Sequence, residues 1–356
     1  MNASLKNPRP VLAARPAIVN RVSDLIGHTP LFELLRTADG RRIVLKLEQS
    51  NPTGSAKIRM AQQMLDEAEQ DGSLRPGGRV VESTSGNTGM GLALLAAERG
   101  YRFTAVVDHH AAADKLRTMR AYGAELIYVS DGDALATADR EALAERIADA
   151  DPDAIWTEQH NNPANGRGYT RVAHELLAAL DGHIDLLVGA VGTGGSLFGT
   201  ARELKPWLPT MTVIGVEPVG SIAFGGEGAD YYQSGTGTPA GAEIGALVDY
   251  SLLDEGVKVS DAAAFNTARY LGRKKALLVG GSAGGVIYHA LSLIDRLPPG
   301  GTMVVLVCDG GEKYLDTVFN DDWMAARNLI DDSVATELAP IFARFESTAA
   351  TQVEAA

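Results

Sequence analysis

The chain has 356 residues, 45% of them hydrophobic, one cysteine and a formal net charge of −13, enough apolar material for about two domains. The acidic balance and the lack of a Lys/Arg run speak against a nucleic-acid partner, and no stretch reaches the ~18 uninterrupted apolar residues of a membrane span. A single cysteine, Cys308, excludes an intrachain disulfide and every cysteine-based metal spacing, and fits a reducing compartment.

Residues 1–20 contain Pro8, Pro10, Arg15 and Pro16 and no apolar core of signal-peptide type, so a cytoplasmic protein is expected. Residues 43–48 predict a strand, and the next helix starts near Lys57. Residues 79–82 predict a strand that feeds a Gly/Ser/Thr loop and a helix over 88–99. A strand over 103–107, a helix over 114–122, a strand over 125–129 and a long Ala-rich helix over 134–150 follow. Past a polar break at 158–168, a strand over 184–191 runs into a glycine loop and a helix. A strand over 212–216, a helix over 261–271 and a late strand over 303–307 complete the series. Residues 218–246, rich in Gly, Thr and Ser, are too long for an ordinary connection and read as a mobile functional segment. Short β-branched runs alternating with helical patterns predict an α/β fold with largely parallel sheets flanked by helices, and the polar break divides the strands between two sheets. Residues 341–356 read as a disordered tail.

Four small-residue loops follow strands or open helices, where ligands of α/β sheets bind. Asn51-Pro52-Thr53-Gly54-Ser55-Ala56-Lys57 places a lysine in the first turn of a helix. The dipole disfavours a cation there, which suits an amine that must lose its proton to form an imine; an ordinary surface lysine is the competing reading. Glu82-Ser83-Thr84-Ser85-Gly86-Asn87-Thr88-Gly89 offers hydroxyls and free N–H groups to a carboxylate or phosphate, against a simple N-cap. Gly192-Thr193-Gly194-Gly195-Ser196 looks like a phosphate cradle. It lacks the third glycine of a dinucleotide fingerprint, since 197 is Leu, and no Gly-Lys-Ser/Thr follows it. Gly280-Gly281-Ser282-Ala283-Gly284-Gly285, read as lying between a strand and a helix, competes with plain helix packing through glycine.

Other features carry less. His174-Glu175 begins like a zinc-protease motif, but 178 is Ala, and no metal is expected. His109-His110 reads as a loop pair and Asp131-Gly132-Asp133 as a turn. Cys308 reads as a core residue of the last strand.

Together the loops resemble the cysteine synthase and cystathionine β-synthase family of fold type II pyridoxal-phosphate enzymes. The resemblance runs from Ile26-Gly27-His28-Thr29-Pro30-Leu31 to about Trp323. It implies a large cofactor-binding domain over 1–50 and 162–340, a small mobile substrate-binding domain over 51–161, and a homodimer. It implies pyridoxal 5'-phosphate bound through Lys57 as a Schiff base. Asn87 would hydrogen-bond the cofactor's phenolic oxygen, Gly192, Thr193, Gly194, Gly195 and Ser196 would hold its phosphate, and Ser282 would meet its pyridine nitrogen. Thr84, Ser85, Asn87, Thr88 and Gln159 would bind the substrate α-carboxylate. The implied reaction is β-replacement on O-phospho-L-serine or O-acetyl-L-serine through an aminoacrylate, with Lys57 as general base.

Several segments, among them Glu82–Asn87 and Asp309-Gly310-Gly311-Glu312-Lys313-Tyr314, resemble the branch that joins L-glutamate to O-phospho-L-serine. That branch gives N-(2-amino-2-carboxyethyl)-L-glutamate for 2,3-diaminopropionate, a precursor in siderophore and antibiotic synthesis. Ile58 and the phosphate loop depart from that branch, and residues 234–247 fit neither, which keeps a sulfide-using cysteine synthase as the alternative. A catalytically silent paralogue acting as a binding partner is the alternative of another class.

Overall fold

A computed structural model describes residues 18–107, 113–129 and 137–353. The chain opens with an antiparallel pair, β1 (Leu31–Arg36) and β2 (Arg42–Leu47), and then enters α1 (Lys57–Gln70). Strand and helix alternate next: β3 (Arg79–Ser83), α2 (Asn87–Arg99), β4 (Arg102–Val107), α3 (Ala113–Ala121), β5 (Glu125–Tyr128), α4 (Thr137–Asp149) and β6 (Ala154–Trp156). Two helices, α5 (Pro163–Arg167) and α6 (Thr170–Ala179), lead to β7 (Leu186–Ala190), α7 (Gly195–Leu204) and β8 (Thr212–Pro218). After a long irregular stretch come β9 (Glu255–Val259), α8 (Asp261–Lys275), α9 (Gly281–Ser292), β10 (Thr302–Val307), α10 (Asp321–Ala325) and α11 (Asp332–Val353).

Two sheets form. One has the order β1-β2-β10-β7-β8-β9 and the other β5-β4-β3-β6. Every pairing except β1 with β2 is parallel, which accounts for the uninterrupted apolar strands: all six residues of β10 are buried, as a strand covered by helices on both faces requires. Strands β3 and β10 lie within their sheets, so Ser83 and the residues after Val307 emerge at carboxyl ends, where crossover loops gather.

The sequence reading missed β1, β6 and β9 and the helices α5, α6, α10 and α11. The three strands are all edge strands, short or only partly buried, and lack a clean apolar run. The stretch before the Gly280 loop is not a strand: Ala276 turns into the left-handed region and residues 277–280 run irregularly. Helix α11 continues to Val353, and Phe342 is buried, stacked on Tyr270 of α8 at 5.6 Å between ring centroids, with Leu338 one turn before it on the same face. His109-His110 and Asp131-Gly132-Asp133 lie outside the described residues.

Candidate active site

A cavity of about 750 Å³ is lined from both sheets. It receives the loops that follow β3, β6, β7 and β10 together with the irregular residues 231–245. Besides α1, three helices begin on it: α2, α7 and α9. Their N-caps are Gly86, Gly194 and Gly280, and none has a side-chain cap. Helices α5, α8 and α10, by contrast, are capped by Asn162, Ser260 and Asn320. A helix start leaves backbone N–H groups and a partial positive charge without an internal partner, so three uncapped starts on one cavity make it a site for anionic groups.

Lys57 is the first residue of α1. Its N–H donates to Ser55 Oγ at 3.0 Å, and the N–H of Ala56 donates to the Cys308 carbonyl at 2.8 Å, which ties the lysine to the end of β10. Behind it, Arg59 donates to both oxygens of Glu48 (2.7 and 2.9 Å) and to Glu175, which also pairs with Lys46 at 2.6 Å. This buried network fixes the start of α1 against β2 and α6. It also explains His174-Glu175, whose carboxylate serves the network: burial alone would raise it, but the donors Arg59 and Lys46 bring it down to about 2. Burial in the cavity lowers the pKa of Lys57. Its amine lies 3.5 Å from Thr193 Oγ1, with no carboxylate paired to it among the described residues.

The hydroxyl loop is knitted to the β6 loop. Thr84 Oγ1 accepts from the N–H groups of Gly86 and Gly89, Thr88 Oγ1 donates to Gln159 Oε1 at 2.7 Å, and Gln159 Nε2 donates to the Ser83 carbonyl. Beneath them Glu82, fully buried, accepts from Thr157 Oγ1 at 2.6 Å and from the N–H of Gln159; burial pushes its carboxyl up to about 7. Ser85 lines the cavity beside them, as does Asn87. The Asn87 amide is fixed at both ends, donating to Asp309 Oδ2 and accepting from Lys313 Nζ, each at 2.8 Å.

The glycine loop sits opposite. Gly194 adopts φ +88°, which places the chain in the left-handed turn that starts α7, and a Cβ at Gly195 would overlap Asn165 Oδ1. Asn165 backs the loop, donating to the Gln159 carbonyl at 2.7 Å and to Thr193 Oγ1 at 3.1 Å, while its Oδ1 is buried without a partner. Gly192, Thr193, Gly194 and Ser196 line the cavity, and Gly195 stands behind them as the first residue of α7. Ser282, 7% exposed, faces the same space from the first turn of α9. The residue set therefore fits a phosphorylated pyridoxal: an amine with a depressed pKa, an uncapped glycine-lined helix start for the phosphate, and neutral Asn and Ser groups for the ring.

Every residue picked out from the sequence thus comes to one cavity or, for Gly195, to its wall. Cys308 packs against the core as expected, but just beyond β10 rather than in it, and it also lines the cavity; burial pushes its thiol up to about 11, which disfavours a nucleophile. Lys115, Asp309, His160 and Tyr169 also line the cavity and went unnoticed as site residues, as did Lys313 behind Asn87. Asp309 and Lys313 stood inside a segment already singled out; Lys115 had no local signal at all.

Comparison with known proteins agrees with this geometry. The family model described as pyridoxal-phosphate dependent enzyme matches residues 22–309. A Sinorhizobium fredii protein named "Putative cysteine synthase" is 53% identical over 320 residues, 89% of this chain and 95% of the relative. The N-(2-amino-2-carboxyethyl)-L-glutamate synthase of Ralstonia nicotianae is 35% identical, covering 86% of this chain and 92% of its own. The crystal structure of the O-acetylserine dependent cystathionine beta-synthase from Helicobacter pylori superposes with a TM-score of 0.79 at 31% identity, covering 85% of this chain and 99% of that one. With Lys57, the glycine cradle and Ser282 already gathered round one cavity, these matches place the chain in the pyridoxal-phosphate dependent enzyme family, as a fold type II enzyme of the cysteine synthase and cystathionine β-synthase group.

Proposed function

We propose that this enzyme performs β-replacement on an O-activated L-serine, O-phospho-L-serine or O-acetyl-L-serine, with an amino-acid nucleophile such as L-glutamate, giving N-(2-amino-2-carboxyethyl)-L-glutamate. The observation that carries this reading is the amine of Lys57: desolvated, unpaired with any described carboxylate, and facing the same cavity as the hydroxyl loop and the glycine cradle.

Pyridoxal 5'-phosphate, when bound, supplies an aldehyde for amines to condense with and a ring that withdraws electrons from the substrate's α-carbon. Gly192, Thr193, Gly194, Gly195 and Ser196 hold its phosphate at the start of α7. Asn87 would hydrogen-bond the phenolic oxygen. Ser282, a neutral hydroxyl rather than a carboxylate, would meet the pyridine nitrogen and so would leave the ring a moderate electron sink, which favours loss of the β-substituent over transamination. Lys57 takes the α-proton, a role suited to an amine whose pKa is lowered by burial. Thr84, Ser85, Asn87, Thr88 and Gln159 orient the α-carboxylate at the start of α2. Closure of the small domain over the substrate would exclude water, which would otherwise divert the reaction to hydrolysis.

The Ralstonia relative supports an organic nucleophile. The Sinorhizobium relative supports the second reading, sulfide as nucleophile and L-cysteine as product. The proposed setting is a cytoplasmic homodimer in a biosynthetic route to a siderophore or antibiotic through 2,3-diaminopropionate. The test supplies either donor with sulfide, L-glutamate and other amino acids and identifies products by mass spectrometry. N-(2-Amino-2-carboxyethyl)-L-glutamate supports the first reading and L-cysteine the second; no product from either donor with any nucleophile rejects β-replacement.

A further inference from the structure

Asp309 stands just beyond β10, 2% exposed and lining the cavity, where three loops of the site meet. Ser55, two residues before Lys57, forms an isolated antiparallel bridge with it. Its carbonyl accepts at 3.0 Å from the N–H of Gly280, the N-cap of the helix that carries Ser282. A Cβ at Gly280 would overlap Asp309 Oδ1, so glycine there leaves room for the carboxylate. The other oxygen, Oδ2, accepts from Asn87 Nδ2 at 2.8 Å and from Tyr314 Oη at 2.6 Å, while Oδ1 is buried without a hydrogen-bond partner. Burial lowers the pKa of Lys115 and brings that of Lys313 down to about 8, and Asp309 pulls against burial in both.

The two ends of an asparagine amide are nearly alike in shape and opposite in polarity, so neighbours decide which end faces a ligand. At Asn87 both neighbours have a fixed polarity. The Asp309 carboxylate only accepts, and it takes one N–H of Nδ2. Lys313 Nζ donates to Asn87 Oδ1 at 2.8 Å and to the Gly54 carbonyl at 2.9 Å. Loss of a proton from Lys313 does not reverse this, because a neutral amine keeps two N–H groups for those two acceptors. Asn87 is left with one N–H, and it lines the cavity. We propose that Asp309 is a positioning residue: with Lys313 it locks the Asn87 amide so that an N–H, and not the carbonyl oxygen, meets the cofactor's phenolic oxygen. A donor there favours the ionised form of that oxygen, and an acceptor would repel it. This rests on the role given to Asn87 in the proposed function.

The experiment compares holoenzymes: native, Asp309→Ala, Asp309→Asn, Asn87→Ala and the double variant with both alanines. The visible and near-ultraviolet spectrum of each reads the ratio of ionised to neutral phenolic oxygen in the bound cofactor. Asp309→Ala should lower that ratio about tenfold, the size of one hydrogen bond. In Asp309→Asn the amide oxygen takes the place of Oδ2 and its nitrogen that of the unpartnered Oδ1, so the ratio should stay within about twofold of native. With Asn87 already replaced by alanine, removal of Asp309 should change nothing further, a result that a merely structural role would not give. An unchanged ratio in Asp309→Ala, or the same fall in the absence of Asn87, overturns the proposal. If Asp309→Ala does not fold, crystals of the native holoenzyme decide: Asn87 Nδ2 within hydrogen-bond distance of both Asp309 and the phenolic oxygen upholds the proposal, and any other arrangement overturns it. None of these readouts needs turnover, so a failure of β-replacement with every donor and nucleophile would leave the role of Asp309 to be decided by the spectra.

Discussion

Lys313 and Asn87, 226 residues apart in sequence, share a hydrogen bond of 2.8 Å from the lysine ammonium to the amide oxygen. Lys313 also donates to the carbonyl of Gly54 at 2.9 Å, in the loop that leads to Lys57. One side chain therefore sets the orientation of the Asn87 amide and braces the approach to the lysine.

Replacing Lys313 with Met should free the Asn87 amide without emptying the site. A hydrogen bond to a charged group contributes about 1.5–3 kcal/mol, so kcat should drop roughly 10- to 100-fold, while Lys313→Arg should keep more activity. Steady-state kinetics beside the visible spectrum of the bound cofactor checks this. A spectrum and kcat identical to native in the Met variant would show that Asn87 holds its place unaided.

Lys57→Ala should abolish turnover and remove the imine-type visible band, with far-ultraviolet circular dichroism unchanged. The substitution deletes the amine but leaves the Ser55 and Cys308 backbone ties of α1 in place. Normal turnover without added amine would refute the assignment of Lys57.

Gly195→Ala tests the phosphate cradle. The added methyl would overlap Asn165 Oδ1, so either the loop or Asn165 must shift. Affinity for pyridoxal 5'-phosphate, measured by fluorescence titration of apoenzyme, should fall at least about tenfold, the loss of one or two phosphate hydrogen bonds. Equal affinity would mean that the phosphate is held elsewhere.

Glu82 gives a pH signature. Burial raises its folded pKa from 4.5 to about 7, so between these values the folded state binds more protons than the unfolded one. Its contribution to stability is therefore complete below pH 4.5 and is lost as pH rises toward 7, by an amount on the order of 3 kcal/mol. Glu82→Gln keeps an acceptor for Thr157 and Gln159 and removes the titration. Its Tm should exceed the native value at pH 8 and lose that advantage near pH 4.5. Parallel Tm–pH curves for the two proteins would rule out a titrating Glu82.

The sequence by itself determined the α/β alternation and the cavity-facing helix starts that carry Lys57, Asn87, Gly195 and Ser282, because each is written in a short run of residues. A buried parallel strand needs consecutive apolar residues, and an anion cradle needs small residues that expose backbone N–H groups. Only the tertiary structure brought Lys115, Asp309, Lys313 and the Glu82–Thr157 pair into or behind the cavity. These depend on contacts across long separations, such as the 222 residues between Asn87 and Asp309. A lysine on a short polar helix reads the same whether water or a cavity lies above it. Burial by the rest of the chain makes Lys115 a desolvated charge, and no local pattern carries that information.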